Sequence, residues 1–167
     1  MKILGHPVHP MFVVYPLAMF VVAVILDIVY MITKAAILPT VSFYMYAAGI
    51  LGGLIAAVFG FIDWLGLQPS SRAKRLGAWH GIGNFTMVVL QLISWFMRLG
   101  APGYVPSTVA FILSLLGVAI ILVTAWLGGE LVYRLGSAVD QGANANAPSS
   151  LSGQPASASR DMRQPSR

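Results

Sequence analysis

Four long runs of hydrophobic positions follow one another along the chain, separated by short polar segments. The runs cover Phe12–Thr33, Val41–Leu65, Trp79–Leu99 and Ser107–Leu127, and the last is expected to continue to about Leu135. A helix needs about 20 apolar residues to cross the hydrocarbon of a bilayer, so each run is long enough. Short links make neighbouring helices antiparallel. The pattern predicts an all-α integral membrane protein, with an antiparallel up-down-up-down four-helix bundle over residues 1–136.

Composition supports a lipid environment and excludes several kinds of chemistry. Hydrophobic residues make up 57% of the chain and charged residues 9%, whereas a soluble domain carries about 25% charged residues. The net charge is +5, but the basic residues lie in loops and in the tail, so no nucleic-acid partner is expected. Because the chain has no cysteine, disulfides, thiolate-held clusters and cysteine nucleophiles are excluded.

The distribution of Lys and Arg predicts the orientation of the bundle. With four spans, both termini and the middle loop lie on one side, and that side carries eight of the ten basic residues. The positive-inside rule then places both termini in the cytoplasm. Residues 137–167 are rich in Ser, Ala, Gly, Pro and Gln without periodicity, so they are predicted to form a disordered cytoplasmic tail.

One face of the third helix is polar along its full length. His80, Asn84, Met87, Gln91, Ser94 and Arg98 recur at steps of three and four. Such a face must meet other helices or water. It indicates either hydrogen bonds between helices, or a polar path or one wall of a cofactor site. Asp27 of the first helix is expected at the depth of Arg98, and intramembrane charges usually pair. The two are therefore predicted to interact, directly or through water.

A second polar site is predicted at the opposite, cytoplasmic end. Pro7 and Pro10 favour extended or polyproline-like backbone at His6 and His9, which would place both imidazoles on one side. Asp63 ends a face of small residues on the second helix. The expected site comprises His6, His9, Asp63 and His80, with Asn84, Glu130 and Arg134 nearby. It could ligate haem b, with His9 and His80 as the axial pair, or a divalent metal, or form a hydrogen-bonded plug. Glu130 and Arg134 could also pair with each other.

Four motifs in order carry a resemblance to a known family. GHPVHPMFVVYPLAMFVVAVILD, GFIDW, AWHGIGN and LGGELVYRLG resemble a bacterial membrane family catalogued as domain of unknown function twenty-two thirty-one, over about residues 5 to 136. The resemblance implies four membrane helices in a bacterial cytoplasmic membrane and no particular activity. Family members often carry a further His at the position that is Val14 in this chain. The neighbouring Tyr15 could partly substitute for that His as a polar group.

Three functions follow as hypotheses. The first is an accessory or assembly subunit of a membrane complex, in contact with lipid and with other subunits or a second copy. The alternative is a redox protein that holds b-type haem or a metal through His6, His9 or His80. The third is a small transporter acting as an oligomer, since four helices leave little room for a pathway. No catalytic motif is legible.

Overall fold

The computed structural model describes residues 1–158 and consists of four long helices. They are α1 (Val8–Thr33), α2 (Ile37–Leu65), α3 (Arg72–Arg98) and α4 (Thr108–Gly129). A π-helical turn, Glu130–Arg134, continues α4 directly. All four helices are long and apolar enough to cross a membrane. The all-α membrane bundle expected from the hydrophobic pattern is confirmed.

Helices α1 and α3 begin earlier than the hydrophobic runs indicate. His9 and Pro10 lie in the first turn of α1, where proline is tolerated because the first N–H groups have no partner within the helix. The extended backbone expected at His9 is therefore wrong. Helix α3 starts at Arg72 because the Ser71 side chain accepts a hydrogen bond from the Lys74 backbone N–H at 3.0 Å and caps the helix.

The bundle consists of two helical hairpins, α1–α2 and α3–α4. Packing is closest within each hairpin, whereas α2 meets α3 and α1 meets α4 over smaller areas. Helices α1 and α3 are therefore diagonal, as are α2 and α4. The core between the hairpins is built from Phe20, Tyr46, Ile50, Met87 and Ile121, together with Ala23 and Val24. Side chains on diagonal helices can thus meet at the centre of the bundle.

The residues before α1 and after α4 lie together at one end. Lys2–Ile3 pairs antiparallel with His6–Pro7 through a two-residue turn, in which Gly5 adopts a φ of 82°. The Lys2 ammonium contacts the Asp140 carboxylate, and the Ser150 hydroxyl donates to the Leu4 carbonyl at 3.0 Å. Disorder of residues 137–167 stays a prediction, and residues 159–167 lie outside the described part of the chain.

Candidate functional sites at the two ends of the bundle

The two predicted polar sites occupy opposite ends. We call the end where α1 and α3 begin and α2 and α4 finish the histidine end, because it carries His9 and His80. The other is the ion-pair end, which carries Asp27 and Arg98. In each case the two residues come from the diagonal helices α1 and α3. Each site therefore forms only when the two hairpins are packed against each other.

At the ion-pair end, Asp27 and Arg98 form a bidentate pair that is sealed from solvent. Arg98 Nη1 donates to Asp27 Oδ1 at 3.0 Å and Nη2 donates to Oδ2 at 2.8 Å. Both side chains have a relative exposure of 0%. The parallel two-bond geometry is the strongest arrangement of a guanidinium and a carboxylate. It joins the two hairpins through their diagonal helices.

Hydroxyl groups from α2, α3 and α4 surround this pair. The Ser42 hydroxyl donates to Asp27 Oδ1 at 2.6 Å, and the Tyr46 hydroxyl donates to Oδ2 at 3.2 Å. Arg98 Nη2 also donates to the Ser114 hydroxyl at 3.2 Å, and the guanidinium lies 4.5 Å from the centre of the Tyr46 ring. Buried charges cost several kcal/mol unless such partners satisfy them. The carboxylate is therefore fully engaged.

At the histidine end, His9 is fixed against its own hairpin. Its Nδ1 lies 2.9 Å from the Ala56 carbonyl oxygen of α2. A carbonyl can only accept, so Nδ1 carries the hydrogen and Nε2 of the neutral ring is an acceptor. Gly60, one turn further, leaves room for the ring, since a Cβ there would lie 2.9 Å from His9 Cε1. Within residues 1–158, no group donates to His9 Nε2.

His80 is held by the second hairpin in the same way. Its Nδ1 lies 2.9 Å from the Thr124 carbonyl oxygen of α4, and Gly128 lies one turn further, against the ring. Asn84 Nδ2 donates to His80 Nε2 at 3.0 Å and to the His80 carbonyl at 2.9 Å. The Thr124 hydroxyl in turn donates to the Asn84 side-chain oxygen at 3.1 Å. The ring is thus fixed from both sides.

The two imidazoles face each other across the bundle. Their ring centroids are 6.3 Å apart and their planes are inclined by 86°. A groove of about 460 Å³ lies between the N-terminal segment and the end of α4, and neither His9 nor His80 lines it. Its wall includes Pro7, Pro10 and Gly128.

Of the other residues predicted for this site, Asn84 contacts His80, whereas His6 and Asp63 bond to other groups. His6 is exposed and lies in the short β-hairpin before α1, and its Nε2 is 3.4 Å from the Ser150 hydroxyl. His6 belongs to the strand His6–Pro7, whereas His9 lies in the first turn of α1, which begins at Val8. Asp63 accepts from the N-terminal ammonium of Met1. Of the four residues predicted to converge, His9 and His80 lie together, and His6 and Asp63 have other partners.

Glu130 and Arg134 do not pair with each other. Arg72 Nη2 donates to Glu130 Oε2 at 2.7 Å, which ties α3 to the π-helical turn, and Arg134 is exposed. Among residues 1–158, no group of three or more His, Asp or Glu side chains is placed to hold a metal ion. A divalent metal site of the predicted kind is absent from this part of the chain. Only the His9–His80 pair remains as a ligand set.

Sequence reasoning missed the partners that come from α2 and α4. Ser42 and Tyr46 are four residues apart on α2, and Ser114 lies on α4. Each is fully buried. Small hydroxyl groups within an apolar run are common, so their identity alone carries no signal. The spacing of Ser42 and Tyr46 from Asp27 could have identified these two, because the turn between α1 and α2 is only three residues long.

Comparison with known proteins agrees with this architecture. The family described as Predicted membrane protein (DUF2231) matches residues 5–141. The chain belongs to this family. The family resemblance expected from the four motifs is therefore confirmed. The match includes all four helices and both polar ends. No curated protein and no solved structure matches the chain. Val14, the position at which the resemblance implied a further His, is 63% exposed.

Proposed function

We propose that this membrane protein binds one b-type haem between His9 and His80 and serves in electron transfer. The observation that carries the proposal is the separation of the two imidazoles. Nitrogen–metal bonds of about 2 Å put the nitrogens of two axial imidazoles about 4 Å apart and the ring centroids about 6 Å apart. The observed distance is 6.3 Å. Bound haem would supply one-electron redox chemistry at this end of the bundle.

The hydrogen bonds of the two rings support this assignment. Histidine ligands usually donate their second ring N–H to a carbonyl or carboxylate, which fixes the ring and leaves the other nitrogen for the metal. Here both Nδ1 atoms meet helix carbonyls, those of Ala56 and Thr124. Gly60 and Gly128 keep the flanks of the rings open. For His80 to act as a ligand, the hydrogen bond from Asn84 Nδ2 to His80 Nε2 must break. Asn84 Nδ2 would keep its hydrogen bond to the His80 carbonyl.

The test is the visible spectrum of the detergent-purified protein, expressed with added haem precursor and recorded oxidised and dithionite-reduced. We expect the reduced bands of a bis-imidazole haem in the wild type. His9→Ala and His80→Ala should abolish these bands while membrane insertion is retained. His6→Ala is the matched control, because His6 is exposed and outside the pair, and it should leave the spectrum unchanged. A colourless wild type would refute haem binding.

A second candidate is an accessory or assembly subunit without a cofactor. The contact that favours it is the 3.0 Å bond from Asn84 to His80 Nε2, which occupies the nitrogen that haem would need. The histidine end would then be a hydrogen-bonded plug. Under this hypothesis His80→Ala changes no spectrum and lowers only the thermal unfolding temperature. Partner subunits or a second copy would be found by cross-linking in intact membranes.

We also propose that the histidine end faces the cytoplasm of a bacterial cell, in its inner membrane. Arg72, Lys74, Arg75 and Arg134 lie at this end of α3 and α4, and the Lys/Arg bias sets orientation. A reporter fused after Asp140 should be cytoplasmic, and one inserted after Gly100 should be external. Two reporters on the same side would contradict the four-span topology.

A further inference from the structure

The buried positions of α3 repeat those of α1. Every residue of α3 that is fully buried lies 71 positions after a buried residue of α1. The pairs are Pro16 with Met87, Phe20 with Gln91, Ala23 with Ser94, and Asp27 with Arg98. His9 and His80 have the same separation. The residue types differ in each pair except the histidines, while the positions that face the centre are the same.

Helices α2 and α4 repeat in the same manner at a separation of 68. All five buried residues of α4 have a buried counterpart on α2. The pairs are Ser42 with Ala110, Tyr46 with Ser114, Gly49 with Gly117, Gly53 with Ile121, and Ala56 with Thr124. The separation between equivalent positions of the two helices is thus three residues longer in the first hairpin, for example from Asp27 to Ser42, than in the second, from Arg98 to Ala110. The extra length lies in the helix ends, because α1 continues beyond Asp27 and α2 begins before Ser42, whereas α3 ends at Arg98 itself.

Equivalent positions also make equivalent contacts. A Cβ at Gly49 would lie 2.7 Å from the Phe20 ring, and one at Gly117 would overlap the Gln91 amide. The imidazole–carbonyl bonds at the histidine end follow the same rule, since their acceptors are equivalent positions of α2 and α4. The two hairpins are therefore two copies of one structural unit, packed face to face.

Both copies run in the same direction through the bundle, because α1 and α3 begin at the same end. Two parallel repeats are related by a rotation about an axis along the membrane normal. His9 and His80, and likewise Asp27 and Arg98, meet across this axis. The two hairpins therefore contact each other through equivalent positions, as the two halves of a two-fold interface do.

We propose that this shared face is a general hairpin-pairing surface, and that the Asp27–Arg98 charge pair restricts its partner to the unlike hairpin. Pairing of two first hairpins would bring two Asp27 carboxylates together in a site with 0% exposure, and pairing of two second hairpins would bring two Arg98 guanidinium groups together. Like charges without solvent are strongly unfavourable. None of the other buried positions paired above is charged.

The surroundings of the pair allow the two charges to exchange places. Each charge is contacted by hydroxyl groups, those of Ser42 and Tyr46 near Asp27 and of Ser94 and Ser114 near Arg98. A hydroxyl can donate to a carboxylate or accept from a guanidinium. An Asp at position 98 and an Arg at position 27 would therefore find partners of the required kind. This inference is independent of whether haem is bound.

The experiment co-expresses two full-length variants with different tags. Asp27→Arg makes both central charges of a chain positive, and Arg98→Asp makes both negative. Neither chain can pair its own hairpins without repulsion, whereas a swapped dimer of the two variants restores both ion pairs. We expect capture through one tag to recover the second tag about tenfold more than with two differently tagged wild-type chains, or with two Asp27→Arg chains. Each variant expressed alone should accumulate poorly.

The exchanged variant, Asp27→Arg with Arg98→Asp in one chain, is the folding control. It should accumulate as a monomer, near the level of the wild type. If it does so and the co-expressed single variants yield no mixed dimer, the pairing surface is not general and the proposal is overturned. Failure of the exchanged variant would equally overturn it, because the two positions would then not be equivalent. Normal accumulation of either single variant alone would show that the charges exert no selection.

Discussion

Removal of one charge from the Asp27–Arg98 pair should be far more damaging than removal of both. Asp27→Asn keeps the shape of the side chain but leaves Arg98 buried and charged at 0% exposure. It weakens four hydrogen bonds to the carboxylate, two from Arg98 and one each from Ser42 and Tyr46. Breaking a buried pair by loss of one partner costs about 3–5 kcal/mol. We expect that loss for Asp27→Asn and for Arg98→Gln.

The double variant should cost no more than either single variant, because two neutral amides leave no uncompensated charge. The free energy of unfolding is measured in mixed micelles by titration with a denaturing detergent. The coupling energy of the cycle should then be about 3 kcal/mol or more. Lys34→Gln is the control, because an exposed charge at the same end should change stability by less than about 0.5 kcal/mol. Additive losses in the double variant would refute direct coupling.

Two further predictions concern packing and capping. Gly49→Ala should cost about 1–3 kcal/mol because its Cβ would lie 2.7 Å from the Phe20 ring. Gly81→Ala is the control, because nothing lies within 4 Å of its Cβ, and it should be neutral or stabilising by up to about 1 kcal/mol. Equal losses of unfolding free energy at the two sites in the same micelle titration would contradict this packing argument. Ser71→Ala should cost about 1 kcal/mol by loss of its bond to the Lys74 N–H, and an unchanged unfolding free energy would show that this cap is not used.

The fold could be predicted from the sequence because lipid imposes a simple condition. A span must be apolar over about 20 residues, so length and hydropathy alone identify the four helices. The ends of the helices were less predictable. Residues 8–11 and 72–78 are polar or proline-containing, and hydropathy assigns them to loops, yet both segments continue a helix. The Ser71 cap and the tolerance of Pro10 in a first turn decide these boundaries locally.

The residues of the candidate sites were predictable only where helix periodicity determines the direction in which a side chain points. Regular spacing on α3 placed His80 and Arg98 on one face, and both point to the centre of the bundle. Asp63 ended a similar face on α2, but its carboxylate meets the N-terminal ammonium instead. His6 lies before α1, where no periodicity applies. A segment outside a helix is positioned by tertiary contacts that the pattern of residues does not encode.

The internal repeat was hidden because the two copies share positions but differ in most of their residue types. Phe20 and Gln91 fill equivalent sites, as do Ala56 and Thr124, and their chemistry has nothing in common. What the copies retain is the spacing: His9 precedes Asp27 by 18 residues, and His80 precedes Arg98 by the same number. A comparison of the separations between chemically distinct residues would have detected this, whereas a comparison of residue types does not.

The two pairs that meet across the axis differ in what each still requires. Asp27 and Arg98 are opposite in charge, so they satisfy each other. His9 and His80 are alike: both use Nδ1–H on a carbonyl, and both present Nε2 as an acceptor. Two acceptors cannot bond to each other. Asn84 serves His80, but the equivalent position beside His9 is Val13, which has no donor. Under the haem proposal, the iron ion would accept the electron pair that His9 Nε2 leaves unused.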